Sequence, residues 1–171
     1  MTNIQYPYLP EGKEILYVSA DNMFMQLAKA FARAQSLDKT MPGAAIVMKG
    51  GRVIGIGANG SNYHKQYGCE RVRRVCKSGE GYELCEGCHP KNHSEAKAIV
   101  NASMPYAPIE YFSFKGFATG ADLYLWGHWW CCQPCWEKIN YAGINNIYLM
   151  ENSWILFNKE HPDNIVGRQF A

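Results

Sequence analysis

ADLYLWGHWWCCQPCWEKINYAGINNIYLM, residues 121–150, is a strand–helix–strand unit. Ala121-Asp122-Leu123-Tyr124-Leu125 reads as a strand, Cys132 to Ala142 as a helix stopped by Gly143, and Asn146-Ile147-Tyr148-Leu149-Met150 as a second strand. Upstream lies Ala44-Ala45-Ile46-Val47-Met48, then Gly50-Gly51, then Arg52-Val53-Ile54-Gly55-Ile56, two short β-branched runs that make a hairpin around Gly-Gly. A hairpin followed by strand–helix–strand implies an α/β layered domain with helices covering a mixed sheet.

Working further outward, Asp21 to Leu37 reads as an amphipathic helix with Asp21 as N-cap. Its expected buried stripe is Met23, Leu27, Ala30 and Ala34, widened by Phe24 and Phe31. Residues 61–92 have neither period, yet they carry four cysteines. A segment of that length is disordered or pinned by something other than a hydrophobic core. His93 to Ala102 is helical in pattern, ended by Pro105 and Pro108, and the aromatic stretch 111–117 has no clear assignment. The whole, 1–171, reads as one domain with a Cys-rich insertion at about 61–92.

Hydrophobic residues make up 47% and aromatics 13%, the composition of a folded chain. A net charge of +2 without long basic runs gives little reason to expect a polynucleotide partner. Met1 to Glu14 shows no signal-peptide pattern, and no stretch approaches transmembrane length. A cytoplasmic location without membrane partners is the expectation, and there seven cysteines suit metal better than disulfides.

The chemistry concentrates in His93-Ser94-Glu95 and Cys132-Gln133-Pro134-Cys135. One imidazole and two thiolates suit Zn²⁺ and leave its fourth tetrahedral position for water. Glu95, two residues after His93, is the acid/base such a water needs. Both half-sites fall where helices begin, and the positive helix ends favour the thiolate form. Either motif alone has a bland alternative, a chance tripeptide or a structural half-site. Together, in this order and separated by a strand, they match the H-x-E and C-x-x-C pattern of zinc nucleobase deaminases. Cys69, Cys76, Cys85 and Cys88 are the number a second, structural zinc needs, with His89 as the alternate ligand; reduced free thiols are the other reading.

With those residues in hand, the chain resembles the deoxycytidylate (dCMP) deaminases of the cytidine deaminase-like superfamily. The resemblance runs from about Asp21 to Met150, through Pro42-Gly43-Ala44-Ala45-Ile46-Val47, Gly57-Ala58-Asn59-Gly60, Ser78-Gly79 with Tyr82-Glu83-Leu84-Cys85, His93 to Ile99, and Cys132 to Cys135 with Ala142-Gly143-Ile144. It implies a three-layer α/β/α sandwich around a central mixed five-stranded sheet. It also implies that Asn59 meets the nucleotide sugar, that the Ser94 amide meets the base carbonyl, and that the Cys131 carbonyl accepts from the exocyclic amine. Cys69 and Cys85 have counterparts in many dCMP deaminases, some of which carry a second zinc. Four departures stand out: Cys131 for proline, Ser94 for alanine, Lys97 for asparagine, and a longer link at Trp126-Gly127-His128-Trp129-Trp130.

The expected reaction is hydrolytic deamination of a free pyrimidine nucleotide, dCMP to dUMP and ammonia, by a homo-oligomer. Cytidine, a modified pyrimidine, guanine, and RNA or single-stranded DNA remain alternative substrates, the last kept open by Trp129 and Trp130 as stacking platforms. A catalytically inactive zinc-stabilised binding module is the non-enzymatic alternative. Arg71, Arg73 and Arg74, near Lys65 and Lys77, are either a phosphate site or a solvated face, and His128 either a substrate contact or a structural residue; His64 and His161 carry no signal.

Overall fold

The computed structural model describes residues 4–104 and 115–171. Among these residues five strands form one sheet: β1 (Ile15–Val18), β2 (Ala44–Lys49), β3 (Arg52–Ala58), β4 (Asp122–Trp126) and β5 (Asn146–Met150), in the order β1-β5-β4-β2-β3. β1, β5 and β4 are parallel, and β2 runs antiparallel to both β4 and β3. Lys49 pairs with Arg52 across Gly50 and Gly51, both at positive φ, which is the two-residue turn whose twist suits a hairpin.

Helices cover both faces. On one, α4 (Ser94–Ser103) and α5 (Gln133–Ala142) bury Ala45, Val47, Leu123, Leu125, Ile147 and Leu149. On the other, α1 (Met23–Gln35) packs against Ala44, Ile46, Met48 and Trp126, with α6 (Ser153–Phe157) adding Phe157. Alternate residues of β2 thus serve opposite layers, as a strand's two-residue period requires. The expected three-layer α/β/α arrangement with a mixed five-stranded sheet is observed.

Several local expectations are corrected. The N-cap of α1 is Asn22, not Asp21: its Oδ1 accepts from the amides of Phe24 and Met25. Met25, Ala28 and Ala32 face the sheet, whereas Met23, Leu27, Ala30 and Ala34 face outward. The helix is apolar on both sides, and close approach to the sheet selects its smaller side chains. Residues 61–92 are ordered into α2 (Asn62–Tyr67), α3 (Glu70–Arg73) and three 3₁₀ turns, Tyr82–Leu84, Glu86–Cys88 and Pro90–Asn92. The helix end at Pro105 and Pro108, and the aromatics of 111–114, lie outside the described residues. No helix among the described residues is long and apolar enough to cross a membrane.

Candidate metal centres and active site

β1, β3, β4 and β5 all end on the same side of the sheet, where β2 begins. Chain segments leaving there converge: Gly43 and Asn59 exchange hydrogen bonds, Gly43 N–H donating to Asn59 Oδ1 (2.9 Å) and Asn59 N–H to Gly43 O (3.0 Å). His93 and Cys132 occupy the N-cap positions of α4 and α5, so both half-sites sit at helix starts facing this end.

The structure brings the first ligand set together. His93 Nδ1 lies 3.3 Å from Cys132 Sγ and 3.4 Å from Cys135 Sγ. Tetrahedral zinc, with its usual Zn–S and Zn–N bond lengths, separates such atoms by about 3.5 Å. His93 Nε2 lies 3.2 Å from the Cys88 carbonyl, which can only accept, so the ring proton belongs on Nε2 and the Nδ1 lone pair is left for a metal. A hydrogen bond from Cys135 pulls the Cys132 thiol down to about 6 against the opposing effect of burial, and His93 adds to the pull. The residues present fit zinc.

Glu95 is buried in the first turn of α4 and lines the same cavity, of about 80 Å³, as His93 and Cys132. One neighbour holds its carboxylate: Ser94 Oγ donates to Oε2 at 3.0 Å. Burial, then the charge of Glu95, push the Cys131 thiol well above the ordinary thiol range, so it stays neutral. The Cys131 and Ser94 departures from the family pattern therefore both lie beside the carboxylate expected to be the acid/base.

Four further ligand atoms form a second set, and its composition differs from expectation. His64, Cys69, Cys85 and Cys88 present ligand atoms all within 4.8 Å of one another. Cys69 Sγ is 3.4 Å from Cys88 Sγ, and His64 Nε2 is 3.4 Å from both Cys85 Sγ and Cys88 Sγ. Cys76 is not among them: it lies on the turn after α3, with its sulfur beside Gly81. Nor is His89, whose Nδ1 accepts from the Lys91 amide and caps the Pro90–Asn92 turn. His64 takes the fourth place from α2. Cys85-Glu86-Gly87-Cys88 was a legible half-site, but nothing in the sequence separated His64 from the other three candidates for the remaining places.

The remaining candidates fall into place. Asn59 lines the cavity, yet its oxygen also accepts from Ser36 Oγ (2.6 Å), and its amide donates to Met41 O (2.7 Å) and faces His128 Nε2 at 3.5 Å. Lys97 does not line the cavity and donates to Gly60 O. Arg73 and Arg74 pair with Glu70 on the surface. Arg71 instead lines the cavity, its guanidinium 3.9 Å over the Tyr82 ring and bonded to Glu80 O and Lys77 O. Trp126, Trp129 and Trp136 are buried, and Trp130 lines the cavity with its indole N–H donating to Tyr8 O at 2.6 Å.

Among solved structures, the dCMP deaminase from the cyanophage S-TIM5 in apo form aligns at 22% identity over 76% of this chain and 82% of its own, with a TM-score of 0.46. A tRNA:A34 deaminase, described for A-to-I editing at the wobble position of transfer RNA, aligns at 23% identity over 75% and 71%, TM-score 0.44. Guanine deaminase from Bacillus subtilis aligns at 15% identity over 78% and 66%, TM-score 0.45. No curated protein matches the sequence. The model of the cytidine and deoxycytidylate deaminase zinc-binding region, by contrast, matches residues 18–151, a span that runs from the end of β1 past β5 and includes His93, Glu95, Cys132 and Cys135. The chain belongs to this cytidine and deoxycytidylate deaminase family.

Proposed function

We propose that the protein is a zinc-dependent hydrolytic deaminase of a free pyrimidine nucleotide, with dCMP the first candidate. The observation that carries the reading is the placement of buried Glu95 in one cavity with His93 and Cys132, two members of the His93, Cys132 and Cys135 ligand set. Zinc held there would supply Lewis acidity and make hydroxide available near neutral pH. Glu95 takes one proton of the attacking water and delivers it to the ring nitrogen, then takes the proton of the newly formed hydroxyl and gives it to the departing amine as the carbonyl forms. A C–O bond forms at the amino-bearing carbon, the C–N bond breaks, and ammonia leaves. Ser94 Oγ holds the Glu95 carboxylate in position for these transfers.

A nucleotide is favoured because Arg71, Lys159 and Ser78 line the same cavity and suit a phosphate. A polynucleotide is disfavoured because Trp129 is buried and packs edge-on against Tyr6 and Trp154, which leaves it no open face for a base. The second ligand set, His64, Cys69, Cys85 and Cys88, is proposed to hold a structural zinc that orders residues 61–92.

The test is ammonia release from cytidine, CMP, dCMP, dCTP, guanine and short single-stranded DNA. dCMP is expected to lead, and preference for guanine or DNA would overturn the substrate assignment. Glu95→Ala is expected to abolish turnover with zinc content intact; unchanged turnover would refute the acid/base role.

A further inference from the structure

We infer that the second ligand set is a positioning device for the catalytic metal site: metal bound by His64, Cys69, Cys85 and Cys88 fixes the ring of His93 through the backbone carbonyl of Cys88. The inference rests on the deaminase reading only in taking His93 as a catalytic zinc ligand.

The two sets share a residue. Cys88 contributes its sulfur to the second set, while its carbonyl oxygen sits 3.2 Å from Nε2 of His93, whose Nδ1 faces Cys132 and Cys135. A metal-ligating histidine is oriented by whatever accepts its other ring proton, and that partner also selects the tautomer. Here the partner is a backbone atom, so its place depends on where the chain holds Cys88. That hold comes from the sulfurs. The turn Glu86–Cys88 is only a 3₁₀ turn, closed by Cys88 N–H donating to Cys85 O (2.9 Å). Single 3₁₀ turns have little stability of their own.

From Cys88 to His93 the chain is a run of tight turns. Asn92 N–H donates to His89 O (2.8 Å), His93 N–H to Pro90 O (3.2 Å), and Asn92 Nδ2 reaches back to Glu86 O (2.9 Å). His93 is therefore tied to the second set by this short covalent path as well as by its ring. A cation completes the arrangement. Three thiolates, a neutral imidazole and a divalent metal leave one net negative charge, and the positive charge of the Arg71 guanidinium acts on Cys88 and Cys69. The same guanidinium covers the Tyr82 ring, which in turn packs 5.6 Å from the His93 ring.

The seat of His64 is shaped for this role. A Cβ on Gly87 would lie 2.4 Å from its ring atoms Cδ2 and Nε2, so the second set closes only because position 87 has no side chain. Gly87→Ala therefore disturbs the second set without removing any ligand.

The experiment uses the full-length protein as wild type, Cys69→Ser and His64→Cys. Zinc per chain is measured first, then retention of the catalytic zinc against a competing chromophoric chelator. Long-range ¹H–¹⁵N spectra of histidine-labelled protein report the Nε2–H of His93. Wild type should bind two zinc ions. Cys69→Ser should keep its fold by circular dichroism, hold one zinc, release it to the chelator at roughly 10- to 100-fold lower affinity, and lose the protected Nε2–H signal. His64→Cys, which keeps four ligand residues with a thiolate in place of the imidazole, should hold two ions with wild-type retention. If Cys69→Ser does not fold, Gly87→Ala takes its place with the same expectations. A single zinc in wild type, or undiminished retention of the catalytic zinc once the second is lost, would overturn the proposal. None of these three readouts uses a substrate, so an inactive ammonia-release screen would count against the proposed function while leaving this inference standing.

Discussion

Gly57→Ala should damage stability and catalysis together, because α4 rests directly on the bare backbone of β3. Gly55 and Gly57 share a face of β3, paired with Val47 and Ala45 of β2 on the α4 side of the sheet. A Cβ on Gly57 would lie 2.4 Å from Ala98 N, 2.7 Å from Lys97 Cβ and 2.7 Å from Ser94 O. To reach van der Waals separation, α4 would have to retreat by about 1 Å. Two effects oppose each other. Alanine has less unfolded-state freedom than glycine, which favours the variant by about 0.5–1 kcal/mol. Overpacking costs typically about 1–3 kcal/mol, and helix backbone yields less readily than a side-chain tip, which places this site at or above the upper end. The net loss is about 2–3 kcal/mol, or roughly 4–12 °C in Tm for a chain of this size.

Ser94 lies between His93 and Glu95, so the retreat moves the acid/base and a ligand together, and a misplacement of about 1 Å costs on the order of 100-fold in turnover. Urea and thermal unfolding give the first number, and ammonia release from the best substrate gives the second. Gly55→Ala is the comparison: its Cβ would strike Ala98 O and Ala102, further along α4, and should cost similar stability with a smaller loss of turnover. Wild-type stability and turnover in Gly57→Ala would refute the claim that α4 is seated on unsubstituted strand.

Two other perturbations give separate signs. Asn59→Ala removes the acceptor shared by Ser36 Oγ and the Gly43 amide and the donor to Met41 O. In a buried site this should lower the unfolding free energy by about 2 to 4 kcal/mol, measured by urea titration, and a loss below about 0.5 kcal/mol would contradict the structural role. His128 is held below its ordinary value of 6.5 by burial, which outweighs the opposing pull of Glu95. Unfolding frees it to take a proton, so its neutral form stabilises the fold fully above pH 6.5, and that contribution is lost as pH falls below 6.5 towards the folded value. Stability measured between pH 7 and 5 should decline with a proton uptake that is smaller in His128→Asn; parallel curves would exclude His128 as the source.

What the sequence showed and what it hid follow from the range of the interactions involved. The hairpin at Gly50-Gly51 and the unit from β4 to β5 were legible because their periods and turn residues are local. β1 was not: it has four residues, and its partner among the described residues, β5, lies far along the chain. The buried face of α1 was misread because Ala28 and Ala32 carry too little hydrophobicity to outweigh Met23 and Leu27, yet their small size is what lets the helix approach the sheet. The first metal site was legible because its members occur as two tight motifs at helix starts. The second was legible only as an inventory of cysteines. Its members come from α2, the start of α3 and the Cys85–Cys88 turn, and no local spacing distinguishes His64 from Cys76.

That contrast bears on where specificity resides. The groups proposed to perform the chemistry, His93, Glu95, Cys132 and Cys135, sit at the starts of two helices packed against the sheet. The core sets their backbone positions, and the Cys88 carbonyl sets the ring of His93. Much of the remaining cavity wall comes from the insertion and the adjoining link: Arg71, Ser78 and Tyr82 from residues 61–92, and His128 and Trp130 from the connection after β4. Cys88 belongs to both groups, lining the cavity, offering a sulfur to the second ligand set and accepting from His93. An insertion held by metal rather than by a hydrophobic core can vary its wall residues while its four ligands keep the Cys88 carbonyl in place. Substrate choice can then diverge without loosening the histidine on which the reaction depends. On this account, exchanging Ser78 or Trp130 should change which compound is preferred, whereas exchanging Cys69 should weaken turnover of every substrate alike.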